Sequence, residues 1–358
     1  MTTAFDPIKL GKIELANRIV MAPMSRSRSY GPEALPSPAA ATYYRQRASA
    51  GLIISEGIQP SPIARGYPAT PGLHTAAQIQ AWRSVTDAVH AAGGVIFAQL
   101  MHAGRIGHPT LLPAGQAPVG PSEIRADANV FTQAGPQPCV EPRRLSGADI
   151  DATISDYAVA AEHAMAAGFD GVEVHGANGF LIHQFLSDNA NVRDDEWGGS
   201  VENRIRLGVE VARAVTEAVG ADRVGFQISP GNRFNDISES RCAEVYPALV
   251  EALDGLQLAY LNVSESNERE LTSRLRERWS SVFILNPFTA SGPTGPEQLD
   301  LVATGATDMI SYGALFIANP DLPRRLAQGG PFTVPDRATF YGGDTHGYTD
   351  YPSLDDER

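Results

Sequence analysis

Eight short runs of this chain are apolar at nearly every position: residues 19–24, 52–57, 94–102, 171–175, 224–229, 259–264, 282–286 and 308–312. A strand with one wet face alternates apolar and polar residues, whereas a strand covered on both faces does not. The runs therefore predict strands of a parallel sheet buried between helices. The stretches between them carry helical spacing. Residues 75–92 place Ile79, Trp82, Val85 and Val89 three and four apart. Ser146 opens a capping-box pattern, Ser-Gly-Ala-Asp, followed by a stripe of Ile150, Ile154, Tyr157, Ala161 and Ala164. Residues 200–219 carry Ile205, Leu207, Val209, Val211 and Val215. Glycines such as Gly168 and Gly220 fall where these helices should stop. Eight strand–helix alternations are the number that closes a ring, so the expected fold is α/β, a (β/α)8 TIM barrel. The 358 residues are read as one domain, 1–358, because such barrels need only ~250 residues before excursions are added.

Two segments stand outside the alternation. Residues 1–18 suit an N-terminal hairpin covering the barrel floor. Residues 103–145 are rich in Pro and Gly and lack helical period; a loop of that length usually carries function. It follows the third strand, so it is expected to cap the active site.

The net charge of −13 argues against nucleic acid as a partner, since phosphate backbones need a basic surface. No run of ~18 apolar residues suggests a membrane span, and residues 1–10 lack a secretory pattern. Cys139 and Cys242 match no zinc or redox spacing. A cytoplasmic protein with free thiols, monomeric or homodimeric, is expected.

Barrels of this kind place their chemistry at the C-terminal strand ends. Here those ends offer Ser25, Glu56, Gly57, Gln99, His102, His175, Asn178, Gln227, Ser229, Asn262, Asn286 and Gly313. A solvated rim would be mostly charged, but this set is mostly amide, hydroxyl and imidazole. It is poor for a metal, and His175 and His183 have no third ligand nearby in sequence. It suits an uncharged heterocycle with many hydrogen-bonding edges, or a carbonyl or nitro oxygen that gains negative charge. No Gly-x-Gly-x-x-Gly follows a strand, so a Rossmann site is unsupported.

The segment His175-Gly-Ala-Asn178-Gly-Phe180-Leu-Ile-His-Gln-Phe-Leu resembles the central signature of the old yellow enzyme family of FMN-dependent ene-reductases, in its classical branch. So do Asn191-Val-Arg193, Gly198 to Arg204, Ala22-Pro-Met-Ser25-Arg-Ser-Arg, Ser55-Glu-Gly57, Gln99-Leu-Met-His-Ala-Gly-Arg105, Ile317-Ala-Asn-Pro-Asp-Leu322 and Gly347-Tyr348-Thr-Asp-Tyr-Pro352, all in the family's order. The resemblance implies FMN, with NADPH or NADH as reductant, and small electron-poor alkenes, quinones or nitro compounds as acceptors. It implies that His175 and Asn178 grip the acceptor oxygen, and that Ser25 tunes the flavin. Gln99 would read the pyrimidine edge, and Pro23, Met24 and Gly57 would give backbone contacts. Tyr67 and Tyr348 would line the substrate side. Asn286 and Gly313 would stand near the flavin at the strand ends.

Three positions depart from the family pattern. Phe180 replaces the Tyr that delivers a proton to the substrate, which costs ~10²–10⁴ in rate when a positioned acid is lost. Gln227 replaces an Arg beside flavin N1, and brings a hydrogen bond without a charge. Ala314 replaces the Arg after Gly313 that grips the FMN phosphate; the stretch 286–296, with Pro296 at a helix start, is expected to supply backbone donors instead. Two other readings stay open here. One is a flavin-dependent, redox-neutral isomerase or tailoring enzyme, which needs no proton from position 180. The other is a flavin-free barrel that binds a small molecule.

Overall fold

The computed structural model describes residues 2–290 and 292–356. Strands β1 (Ile8–Leu10) and β2 (Ile13–Leu15) form an antiparallel hairpin turned at Gly11. Leu10 and Leu15 plug the barrel floor against Val20, Leu52, Phe97 and Tyr260. β3 (Ile19–Met21), α1 (Pro38–Gln46), β4 (Leu52–Ile54), α2 (Ala76–Ala91) and β5 (Ile96–Leu100) follow. The excursion carries four short strands: β6 (Val119–Gly120), β7 (Asn129–Thr132), β8 (Gly135–Pro138) and β9 (Arg143–Arg144). Then come α3 (Gly147–Ala166), β10 (Gly171–Gly176), α4 (Leu181–Leu186), α5 (Val201–Val219), β11 (Val224–Ile228), α6 (Cys242–Asp254), β12 (Tyr260–Ser264), α7 (Arg269–Arg278) and β13 (Val282–Asn286). The chain ends through α8 (Asp300–Ala303), β14 (Met309–Tyr312), α9 (Ala314–Ala318) and α10 (Leu322–Gln328).

The barrel closes in the order β3-β4-β5-β10-β11-β12-β13-β14, with β14 returning to β3 and every neighbour parallel. This is the predicted (β/α)8 barrel. All eight apolar runs contain a barrel strand, but the first two strands are only three residues long. Ala22 makes the last sheet-like bond to Tyr312, and residues 23–28 then leave the ladder to build the rim.

Helix starts follow the chemistry in the sequence. Thr75 and Ser146 both form complete capping boxes, with Gln78 and Asp149. Ser200 caps α5 by accepting from Asn203. The stripe residues Trp82, Val85, Val89, Ile150, Tyr157, Ala161 and Ala164 are buried in the layer between sheet and helices. Among the described residues, no helix is long and apolar enough to cross a membrane.

Candidate active site

β10 delivers the central pair. His175 is buried near the strand end, and its Nδ1 accepts the Ala177 backbone N–H at 3.1 Å. The ring proton therefore lies on Nε2. Burial, with His183 adding, pushes His175 down to about 3, so the imidazole is a neutral donor at ordinary pH. Asn178 follows at φ 54, a left-handed backbone that Asn tolerates better than most residues. Its N–H donates to Ser229 Oγ (2.8 Å), its carbonyl accepts from Asn235 (2.9 Å), and its Oδ1 accepts from Asn232 Nδ2 (2.9 Å). With the rest committed, Nδ2 is the free end. His183 is no metal partner of His175. It accepts the Gly179 N–H at 3.0 Å and contacts the buried Glu239 at 3.2 Å, so it braces the loop that carries Asn178.

The wall beside this pair is apolar. Phe180 lies edge-on to His175 (5.0 Å between centroids) and to Tyr67 (6.2 Å). It packs in one cluster with Met101, Ile106, Leu111, Val130 and Cys139. The last four come from the excursion, which packs against Phe180. Tyr67 is half-buried and held well above the usual phenol range by burial, so it keeps its proton.

On the strands flanking β10 lies a chain of buried amides, with Gln227 the register partner of His175. Gln99 Nε2 donates to Glu173 Oε1 (2.8 Å) and to Gln227 Oε1 (2.9 Å). Asn262 Nδ2 donates to Glu173 Oε2 (2.9 Å). This leaves Gln99 Oε1 as an acceptor and Gln227 Nε2 as a donor. An adjacent acceptor and donor match the N–H and C=O edge of a flavin pyrimidine. Gly57 is buried, and a Cβ there would lie 2.7 Å from Met101 Sδ, so a larger residue would require the Met101 side chain to shift. At Gly313, just past the end of β14, a Cβ would meet only Met24 Sδ, at 3.8 Å, which leaves space beside it. Pro23, Met24 and Ser25 are half-buried along its edge. The ring end therefore fits FMN.

The phosphate end differs from expectation. Pro296 opens a four-residue 3-10 turn, Pro296–Leu299, that runs into the four-residue α8, too short for the helical anion site proposed from the sequence. The Glu297 carboxylate folds over Gly295, where a Cβ would lie 2.4 Å from Oε2. Asn286 Nδ2 is spent on the Ser311 carbonyl (2.8 Å). Ala314 begins a helix of only five residues. Ser291, within the same stretch, lies outside the described residues. Of the guanidiniums, Arg47 binds the carbonyls of Phe316 and Ile317, and Arg26 binds those of Phe340 and Gly347 while its Nη1 is buried without a partner.

Tyr348 is a correction. It does not line the cleft; it is 1% exposed, stacked on Tyr43 of α1 at 4.2 Å, with Arg26 and Arg28 over its ring. Tyr341, seven residues earlier, is exposed and close enough to couple electrostatically to Tyr67. The Gly342-Gly343 pair after it, both at positive φ, marks the surface turn that could have singled it out. Sequence reasoning also missed Glu173, an acidic residue inside an otherwise apolar run.

The sequence profile of the NADH:flavin oxidoreductase / NADH oxidase family matches residues 3–332. The chain is 42% identical to 12-oxophytodienoate reductase 1 of Oryza sativa subsp. japonica over 362 residues, covering 98% of this chain and 93% of that one. It is 39% identical to 12-oxophytodienoate reductase 2 of Arabidopsis thaliana, at 98% and 95% coverage. Among solved structures, morphinone reductase in complex with tetrahydroNAD superposes with a TM-score of 0.93 at 40% identity, covering 100% of this chain and 99% of that one. The old yellow enzyme homologue from Zymomonas mobilis gives 0.94 at 39% identity, with 99% and 100% coverage. The barrel, the neutral donor pair and these likenesses agree: the chain belongs to the NADH:flavin oxidoreductase / NADH oxidase family, that of old yellow enzyme, and is an FMN-dependent oxidoreductase that draws its reducing equivalents from NAD(P)H.

Proposed function

We propose that this enzyme reduces electron-poor alkenes, quinones or nitro compounds, and that His175 and Asn178 hold the oxygen of both the reductant's amide and the acceptor. FMN, when bound, supplies a carrier that accepts hydride from NAD(P)H and passes it to the acceptor. The observation that carries the reading is the pair of free N–H groups, Nε2 of His175 and Nδ2 of Asn178, left over when their other hydrogen bonds are made to Ala177 and to the segment after β11. Two neutral donors fixed in advance stabilise an oxygen that becomes anionic during reaction. Gln99 and Gln227 orient the ring edge, Gly313 leaves room for it, and the excursion excludes water. Phe180 and its apolar neighbours offer no acid on that wall, so protonation falls to solvent or to a neighbouring hydroxyl such as Tyr67.

Anaerobic protein loaded with FMN is expected to bleach with NADH or NADPH and to regain colour with cyclohexenone, a quinone or a nitroarene. Failure of all three acceptors to restore the colour would remove the reading. A second reading, redox-neutral isomerisation of an enone, draws on the same apolar wall at Phe180. It predicts product formation without net consumption of NAD(P)H. The unpaired Cys139 and Cys242 fit a reducing, cytoplasmic setting.

A further inference from the structure

Glu173 sits in mid-strand on β10, fully buried, in contact with the ring-edge amides. The groups around it are neutral on every side. Its register partner on β5 is Gln99, and Gly225 and Gln227 stand on β11. Tyr260 and Asn262 reach it from β12, and His175 on its own strand is held neutral. Among the described residues Glu173 makes no ion pair, and burial pushes it up to about 7, offset in part by Asn262 and Gln99. An ionised carboxylate without a cation is costly at such a depth, and a second negative charge nearby makes it costlier. Hydride delivery to a bound flavin adds such a charge, and Gln227 brings no cation to meet it.

We propose that Glu173 takes up a proton from solvent when the flavin is reduced, replacing by protonation the charge balance that a cation at position 227 would give. The proposal rests on the FMN reading above. The step balances simply. Hydride leaves the nicotinamide, which is oxidised to its cationic form, and the flavin is reduced by two electrons. The Glu173 carboxylate then forms one O–H bond with a proton released by hydronium, and returns it when an acceptor reoxidises the flavin. Asn262 can serve both states across one 2.9 Å contact. Its Nδ2 donates to the carboxylate, and after an amide flip its Oδ1, buried without a partner, would accept from the acid.

The test uses the FMN-loaded protein, without oxygen, in weak buffer with a pH indicator, on adding one equivalent of NADH. Hydride transfer alone consumes no solvent proton. At pH 8 the expected uptake approaches one proton per flavin, and it falls toward zero at pH 5.5, where Glu173 already holds its proton. Glu173→Gln should abolish the uptake at pH 8 while the visible bands still bleach. Gln227→Arg should abolish it too, by giving Glu173 a cation that keeps it ionised, and this variant decides the matter if Glu173→Gln fails to fold. Absence of uptake in the unaltered protein would overturn the proposal. Uptake that survives in the folded variants would also overturn it, because the proton would then be on the flavin. A protein that stays colourless with added FMN would overturn both this proposal and the FMN reading, and is distinguished from the other failures by its spectrum.

Discussion

The two ends of the proposed flavin site are built differently. At the ring end, Gln99 and Gln227 are bonded to each other, His175 to the Ala177 backbone and Asn178 to Asn232, so that one free donor or acceptor remains on each. At the phosphate end, Asn286 of β13 is spent on the Ser311 carbonyl, the hydroxyls of Ser311 and Tyr312 on β14 are buried without partners, and the Glu297 carboxylate lies over Gly295. Preorganised groups with a spare valence bind a ligand at little cost. Groups without one do not. The contrast places recognition of the cofactor in the ring, and treats the phosphate as a weak handle.

The largest expected effect tests the apolar wall next to the ring. Phe180→Tyr should speed reoxidation of the reduced enzyme by an enone by up to ~10²–10⁴, the worth of a positioned acid. The same hydroxyl, set among Met101, Ile106 and Leu111, should cost ~1–3 kcal/mol of stability. Stopped-flow traces and a urea melt read the two together, and an unchanged rate would show that solvent already protonates the product efficiently. Next, His175→Ala or Asn178→Ala should lower turnover ~10²–10³-fold by removing one donor to the anionic oxygen, with FMN affinity less affected. A loss confined to FMN binding would move the pair from the acceptor to the cofactor. At the other end, Ala314→Arg should tighten FMN ~10-fold, about 1.4 kcal/mol, and leave riboflavin unchanged. Equal tightening of both would mean the new side chain reaches the ring rather than the phosphate.

The smallest effect concerns pH. Glu173 is held up at about 7 in the folded chain. Between its ordinary range and pH 7 the native state keeps a proton that the unfolded state has lost, so this group's contribution falls as pH rises. His175, pushed down to about 3, has the opposite sign: its contribution is lost as pH drops below the ordinary histidine range. Glu173→Gln should therefore gain in Tm relative to the unaltered protein at pH 8 and not at pH 5. The same difference at both values would rule out titration of Glu173 in that window.

The fold was legible because burial of a strand on both faces writes itself as an unbroken apolar run, and because Thr75, Ser146 and Ser200 cap helices by local chemistry. Strand lengths were not, since the point where β3 and β4 leave the ladder is set by the closure of the barrel. At the site, the roles proposed for His175, Asn178 and Gln99 came from motif resemblance, and the structure adds which atom of each is free. Tyr348 was misplaced because two tyrosines seven apart share one Gly-rich segment; only packing on Tyr43 decides which is inside. Glu173 was passed over because it lies mid-strand, below the ends where function was sought. The phosphate end was least legible, because a carboxylate turning back over Gly295 follows from loop geometry that no spacing encodes.

Ring-centred recognition is tested most directly by the dissociation constants of FMN and riboflavin for the same apoprotein, measured by flavin fluorescence. The expected values differ by no more than ~10-fold, about 1.4 kcal/mol. FMN binding ~10³-fold tighter than riboflavin, about 4 kcal/mol, would contradict it and show that the stretch 286–296 holds the phosphate firmly after all.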